Sequence, residues 1–558
     1  MKRKLLSVLL AVAMTVSLVA CSGNNSNAEQ QGDSRQENAN EEQENPDMEQ
    51  ENEGTDEIDP NAAYEETVTL EVALYEHNDV KYVDGDTVTD NPWIRSYKEY
   101  FNIDVVPAFT AESADYSTKI NLAIAERKLP DVCWVDAKQL NQLIEADMLY
   151  DMTEVFDTYA SDTIKGYYDI DPESFESGMS DGKLYGLAKL SSGYLPQVNH
   201  VWIRKDWKEA LNLEDPDTMD DFINIIKAFA EEYGSKEIMP VDSSLSLLYL
   251  LAPAWGAYPS IWVEDENGQI VYGATQPEMK EALAEWAKWY QEGFISADFA
   301  TTNMDKIYED SINGKLGAYP FYQWWGAIPG SDLVTEQGVN AHFEAYAIPT
   351  ATGEEVLHPL SASNNGYVVV SKECEHPEAV MKLLNFYAYM DVEARIDDGM
   401  KDVAKAHNSV GHAAWVLRIE NPNGETASYE AVAKAFEAQD ASVAANTIGG
   451  DAYETCMDWL ENKNPSSLGR YLQQGPEKSA YSVAKPIFDG GKVIKNKVWI
   501  YQPESLLEVG STLNDILLEG FTKIIMGEES IDYFEDLVEE WKTAGGERVT
   551  NDGNEMYQ

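Results

Sequence analysis

The side chains with most chemical promise in this chain are its rings and its carboxyls. Trp and Tyr stack on the apolar face of a sugar while their edges donate hydrogen bonds. The 14 Trp and 31 Tyr exceed what one site uses, so most must be core. Carboxyl pairs can perform acid and base work on a glycosidic bond, and Asp220–Asp221, Asp397–Asp398 and Glu539–Glu540 offer such pairs. With 99 Asp and Glu present, adjacency of this kind is expected by chance and assigns no catalyst. The 7 His are scattered, and His407 with His412 lacks helical ligand spacing. No phosphate-cradling glycine loop, HExxH or GxSxG nucleophile turn occurs. The expectation is a chain with no catalytic residue, no metal and no cofactor.

Lys plus Arg is 40 against those 99 acids, a formal charge of -59. Binding to phosphate backbones or anionic lipid surfaces needs clustered cations, so nucleic acid is excluded as a partner. The 558 residues suffice for about two to four lobes with real cores. Lys2, Arg3 and Lys4 precede an apolar run, Leu5 to Ala20, that is too short to span a membrane with ordinary flanks. The run closes on Leu18-Val19-Ala20-Cys21, which resembles the lipobox of bacterial lipoproteins. That resemblance makes residues 1–21 signal peptide and lipobox, and Cys21 the lipidated residue holding the protein on the outer face of the cell membrane. Residues 22–66 hold fifteen Asp or Glu, one Arg and almost no large apolar side chains, and read as a disordered acidic tether. Cys133, Cys374 and Cys456 remain, an odd number without CxxC spacing, so no disulfide framework is expected.

Strands and helices alternate along the rest. Val68, Leu70, Val72 and Leu74 alternate with polar or small residues, a strand to Tyr75. Tyr116, Ile120 and Ile124 predict a helix over 115–128, and Val132 to Val135 a buried strand with Cys133 as a small hydrophobe. Strand, helix, strand in this order predicts a crossover unit on a mainly parallel sheet. Thr218 with Asp221 and Thr275 with Glu278 predict capping boxes opening two further helices. Amphipathic helices follow around Val380–Tyr387, Leu513–Phe521 and Phe534–Trp541, the last stopping at Gly545-Gly546.

A series of segments carries a family likeness. It runs AERKLPDV at 125–132, DGKLYGL at 181–187, VWIRKDW at 201–207, LNLEDPDTMDDF at 211–222 and NGKLGAYPFYQWWG at 313–326. HPEAVMKLLNFY at 376–387, IIMGEESID at 524–532 and WKTAGG at 541–546 complete it. Together, in this order, they resemble the extracellular sugar-binding lipoproteins of carbohydrate ABC transporters, the large Gram-positive type. Many large relatives carry an EF-hand-like calcium loop after the helix that follows the IRKDW segment. Here Glu231 to Ile238 is short and lacks carboxylates at alternate positions, so no calcium is expected there. Glu264 to Gly268 puts Val263 where the first ligand would fall and reads as a plain acidic turn.

The resemblance implies an α/β, two-lobed periplasmic-binding-protein-like (type II) fold with three interlobe crossings. Lobe one takes 67–190 and, with a helical insertion, 356–498; lobe two takes 194–353 and the C-terminal helices 499–558. Carbohydrate is expected in the cleft, near the carboxyl ends of the strands. The implied activity is capture of a sugar, an oligosaccharide, by lobe closure and delivery to ABC permease subunits, by a monomer. Trp324 and Trp325 follow the NGKLG segment where relatives put a stacking Trp. Tyr194 lies at the first crossing, and Trp255 and Tyr258 in a Gly-containing loop. Glu76 and Asp136 end strands, where carboxylates accept hydrogen bonds from paired hydroxyls. Asn365, Trp415 and Tyr501 lie beside later crossings or in the insertion. Arg204 and Asp206 read as an ion pair that packs the fold. A uronate ligand would need convergent Arg, and Arg95, Arg204, Arg395 and Arg418 are far apart in sequence. The rival classes are a cell-surface glycoside hydrolase, and a sugar sensor that reports to a membrane kinase.

Overall fold

The computed structural model describes residues 59–557 except 78–79, 81, 83–84, 235–238, 325–327, 363 and 499–501. Cys21 and the signal, all but the last residues of the 22–66 tether, the end of the 231–238 stretch, Trp325 and Tyr501 lie outside the described residues.

The first lobe opens as the alternation predicts. β1 (Val68–Tyr75) buries Val68, Leu70 and Val72 and exposes Thr69 and Glu71. After α1 (Pro92–Phe101), capped by the Asn91 side chain, the chain returns as β2 (Ile103–Ala111), parallel to β1. α2 (Ser113–Glu126) ends where Arg127 turns left-handed, and β3 (Val132–Val135) lies parallel to β1 on its other side. α3 (Ala137–Glu145) follows at once, and β4 (Gly186–Leu190) closes this first stretch of chain.

The second lobe is built on a small antiparallel sheet. β5 (His200–Arg204) is its centre, with Arg204 paired to Asp206 at 2.7 Å and held over Trp207, as the sequence suggests. α4 (Met219–Tyr233) starts on the Thr218–Asp221 capping box. α5 (Pro277–Glu292) starts on Pro277 instead of on the expected Thr275–Glu278 box. The reason is local: the Thr275 hydroxyl turns back to donate to the Tyr272 carbonyl at 2.8 Å. β6 (Ala318–Phe321), α6 (Ile328–Gln337) and β7 (Phe343–Tyr346) follow, giving the order β6-β5-β7. The acidic turn 264–268 joins two short strands, and the Asp265 carboxylate is engaged by the backbone N–H groups of Asn267 and Gln269.

Two strands return the chain to the first lobe. β8 (His358–Leu360) precedes β9 (Asn364–Val370), which runs antiparallel between β3 and β4 and completes the order β2-β1-β3-β9-β4. α7 (Pro377–Asp391) is buried on most of its circumference. α8 (Gly424–Ala438), α9 (Gly450–Asn462), α10 (Pro465–Gln474) and α11 (Ala480–Asp489) form a helical group. Trp459, Leu468, Leu472 and Ala480 share one core with Trp202, Tyr319 and Phe343 of the second sheet. The block 356–498 is therefore divided: its strand and α7 belong to the first lobe, its later helices pack on the second. Apolar burial decides this, since the inner faces of α9 and α10 meet the outer face of β6-β5-β7.

β10 (Val493–Lys495) pairs parallel with β8, His358 with Val493 and Leu360 with Lys495, where both pass between the lobes. His358 also lies 2.7 Å from the Asn199 carboxamide of the first passage. α12 (Glu504–Met526) and α13 (Tyr533–Trp541) complete a core with α4 and α5. The chain does not stop at Gly545-Gly546. A wider turn there, with Gly545 at φ +128°, leads into a last helix at 547–557. A Cβ on Gly546 would meet the Trp541 ring at 2.2 Å, so glycine is what lets this turn close. Among the described residues no helix is long and apolar enough to cross a membrane.

Candidate functional site

The parallel strands β1 and β3 end side by side, and the side chains at those ends are aromatic. Tyr75 closes β1, and Trp134 is the penultimate residue of β3. Their rings meet edge to face at 6.0 Å. Beneath them Tyr116 of α2 is fully buried; it accepts the Trp134 backbone N–H at 2.9 Å and donates to the Ala73 carbonyl at 3.3 Å. Burial holds the Tyr116 phenol far above its ordinary range, so it stays a neutral donor and acceptor.

The Trp134 ring is locked from the other side by β9. Its indole N–H donates to the Asn365 carbonyl at 2.7 Å. Gly366 stands at φ +89°, and a Cβ there would lie 2.5 Å from the indole nitrogen and 2.6 Å from the Val135 carbonyl oxygen. Only glycine accommodates both the backbone angle and the flat approach of the ring.

A third ring comes from the turn 411–417, which packs over β1. Trp415 sits 5.7 Å from Tyr75, 6.4 Å from Trp134 and 5.2 Å from His77. His412 meets His77 at 4.5 Å. Lys189 of β4, only 3% exposed, places its ammonium 3.4 Å above the Trp415 ring and donates to the Trp415 carbonyl at 2.5 Å. Burial, then the charge of Arg418, drives the Lys189 pKa well down. Tyr75, His77, Trp134 and Trp415 are all half-buried, and Asn365 is exposed. Together they make a platform of aromatic faces rimmed by amide and imidazole groups, with Glu76 following Tyr75 in the chain. Such a surface can stack pyranose rings and bind their hydroxyls at the edges.

Several residues expected in the cleft have other placements. Asp136 follows Trp134 and Val135, but its carboxylate caps α3, accepting the Gln139 N–H at 2.8 Å. Trp255 is 6% exposed and packs on Trp286 and Trp289 at 6.2 and 5.8 Å in the core of the second lobe. Tyr258 lines a separate surface depression with Glu264–Asn267 and Glu278. Tyr194 donates to Asp171 at 3.0 Å, and Lys495 of β10 stands 5.6 Å over its ring, at the passage between lobes. Trp324 belongs to the second lobe: just after β6 it is 38% exposed, its edge against Phe321 at 4.6 Å. Asn365 and Trp415 are thus brought together, with Glu76 next to Tyr75 in the chain, whereas sequence reasoning does not single out Tyr75, His77, Trp134 and His412. The signal for two of these was available, because Tyr75 and Trp134 occupy the strand ends at which open α/β sheets bind ligands.

The comparisons with known proteins agree with this architecture. Residues 85–391 match the model of the bacterial extracellular solute-binding protein family. The lipoprotein LipO of Bacillus subtilis is 22% identical over 507 residues, covering 84% of this chain and 89% of its own. The polygalacturonan/rhamnogalacturonan-binding protein YtcQ of Bacillus subtilis is 23% identical, over 79% of this chain and 83% of its own. Among solved structures, the alginate-binding protein AlgQ2 superposes with a TM-score of 0.62 at 16% identity, over 89% of this chain and 99% of that one. These structural neighbours have the two-lobed solute-binding fold. With a family match over more than half its length and a platform at the carboxyl edge of its parallel strands, the chain belongs to the bacterial extracellular solute-binding protein family.

Proposed function

We propose that this protein is the cell-surface receptor of a carbohydrate importer. It captures an oligosaccharide between its lobes, closes on it, and presents the closed form to the permease subunits of an ABC transporter. The observation that carries the reading is the platform of Tyr75, Trp134 and Trp415 in a chain of the solute-binding family. Trp324, exposed on the second lobe, is the proposed ring of the opposite jaw. Two relatives support a saccharide ligand: YtcQ is a polygalacturonan/rhamnogalacturonan-binding protein, and FusA of Streptococcus pneumoniae, 30% identical over 232 residues, is a fructooligosaccharide ABC transporter substrate-binding protein. Hydrolysis is not part of the proposal. Asp136 is engaged as a helix cap, which removes one candidate catalytic carboxylate. The protein acts as a monomer held to the membrane by lipidated Cys21.

A thermal-shift screen of the purified ectodomain against a glycan panel tests this. A ligand at one hundred times its Kd adds about 2.7 kcal/mol to stability. A stoichiometric complex without turnover of a labelled oligosaccharide is the expected result. Release of shortened sugars transfers the protein to the glycoside hydrolases, and the absence of a shift with any glycan overturns the carbohydrate reading. Cys21→Ser is expected to release the protein from the cell while leaving binding intact.

A further inference from the structure

Arginines that are scattered in the sequence converge in space. A cavity of about 180 Å³ opens where α7, the passage at 418–425 and the helices α8 to α10 meet. Arg395, Arg418 and Arg470 all line it. Chain-wide, acids outnumber Lys and Arg by 99 to 40. Here three guanidiniums stand among four carboxylates, Asp391, Glu420, Glu425 and Asp451, a far smaller excess of acid than along the chain.

The guanidiniums also keep donors in hand. Arg395 comes no closer than 3.8 Å to Asp391, and Arg470 no closer than 3.8 Å to Glu425, both beyond hydrogen-bond reach. Arg418 is paired with Glu420, yet its Nε is buried without a partner. A guanidinium carries five donors in a planar fork that matches a carboxylate. A buried donor without an acceptor is costly, so an acceptor supplied by water or by a ligand is favoured there. Arg418 lies 5.8 Å from the centre of the Trp415 ring, so one of the cavity's guanidiniums neighbours the stacking platform. It is smaller than the ~300 Å³ at which pockets for whole drug-sized ligands begin. Its volume suits a single sugar unit of a longer ligand.

We propose that this cavity is the subsite for a carboxylate-bearing sugar, a uronic acid unit, whose carboxylate is taken by Arg418 with Arg395 and Arg470. Glu425 and Asp451 then accept from the hydroxyls of the same unit. The inference rests on the carbohydrate reading above and narrows its substrate class. It is also a division of labour: faces of rings bind the apolar side of the saccharide, and the guanidinium cluster reads its charge.

The test is calorimetry of the intact ectodomain with a panel of uronate oligomers, their methyl esters and neutral oligosaccharides. The methyl ester keeps the ring and removes only the charge. Binding of an acid oligomer at least tenfold tighter than its ester is expected, and Arg395→Gln and Arg470→Gln, at half-exposed side chains, are expected to erase most of that ratio. Arg95→Gln removes the same charge at the surface pair with Asp86 and Asp90 and is expected to leave the ratio unchanged. Equal binding of acid and ester, or binding of neutral sugars alone, overturns the uronate subsite and leaves the carbohydrate reading standing. A ratio that survives both cavity variants assigns the carboxylate elsewhere and overturns this site. If no saccharide of any arm binds, the carbohydrate reading itself fails, and this proposal with it.

Discussion

Both lobes gather tryptophans, and the two gatherings differ in kind. In the second lobe Trp255, Trp286 and Trp289 lie at 6% exposure or less, packed by α4, α5 and α12. In the first lobe Trp134 and Trp415 stay half-exposed, fixed by a hydrogen bond to Asn365 and by a cation beneath a ring. Ring content and inter-ring distance are alike in the two clusters. What separates them is the element that carries them: a core cluster is covered by a second helix layer, whereas strand ends leave ring faces open. Aromatic composition alone therefore does not locate a sugar site.

Substitutions can pull the two clusters apart. Trp255→Ala is expected to cost about 3–5 kcal/mol of stability, the loss of a buried ring plus its cavity, with affinity per folded molecule unchanged. Denaturant titration alongside calorimetry checks it, and an affinity loss at constant stability would return Trp255 to the cleft.

The mirror-image experiment is Trp415→Ala. Here a tenfold to hundredfold rise in Kd, about 1.5–3 kcal/mol, should accompany only a modest fall in melting temperature. If binding survives and the fold does not, the platform is simply another piece of core.

Gly366→Ala sharpens the contrast, because it leaves every ring of the platform present and disturbs only the seating of Trp134. Its Cβ would displace the Trp134 indole and the Val135 carbonyl, and positive φ adds strain. A loss of about 1–3 kcal/mol in stability is expected together with several-fold weaker binding. Stability loss alone would show that the flat seating of Trp134 is irrelevant to ligand.

The smallest effect at neutral pH belongs to Lys189→Met. The folded protein depresses the Lys189 pKa, by burial first and Arg418 second. Below the folded value both states carry the proton and burying the charge is unfavourable. As pH rises towards the ordinary lysine range the unfolded chain binds more protons than the folded one, so wild-type stability gains with pH. Lys189→Met should thus melt no lower than wild type near pH 7, with its advantage shrinking towards pH 10. A gap between the two melting curves that is flat in pH would mean that Lys189 is not depressed.

The fold was readable where signals are local. Alternation placed β1, a four-residue apolar spacing placed α2, and Thr218 with Asp221 marked the start of α4. The site was readable only in part, since its geometry is assembled from far apart in the chain. Trp134 sits in the run Val132-Cys133-Trp134-Val135, which looks like any buried strand, and its exposure follows from Gly366 more than two hundred residues away. Arg395 and Arg418 read as scattered in the sequence, and Arg470 carries no signal there, because nothing in their neighbours reveals that the end of α7 and α10 line one cavity. The packing of the later helices was hidden for the same reason: amphipathic faces announce that α9 and α10 pack, without naming the sheet that receives them.

The pairing of β8 with β10 carries a consequence for how much of the contact energy survives as affinity. Hinges that are free segments lose conformational entropy when lobes close, roughly 1–2 kcal/mol for each residue ordered. Here the two passages are already tied: His358 donates its backbone N–H to Lys492, and Asn496 to Leu360, at 3.0 and 2.9 Å. That ordering is completed when the chain folds, before any ligand arrives. Closure about this short ribbon then freezes few additional torsions, and most of the gain from ring stacking remains available to set Kd.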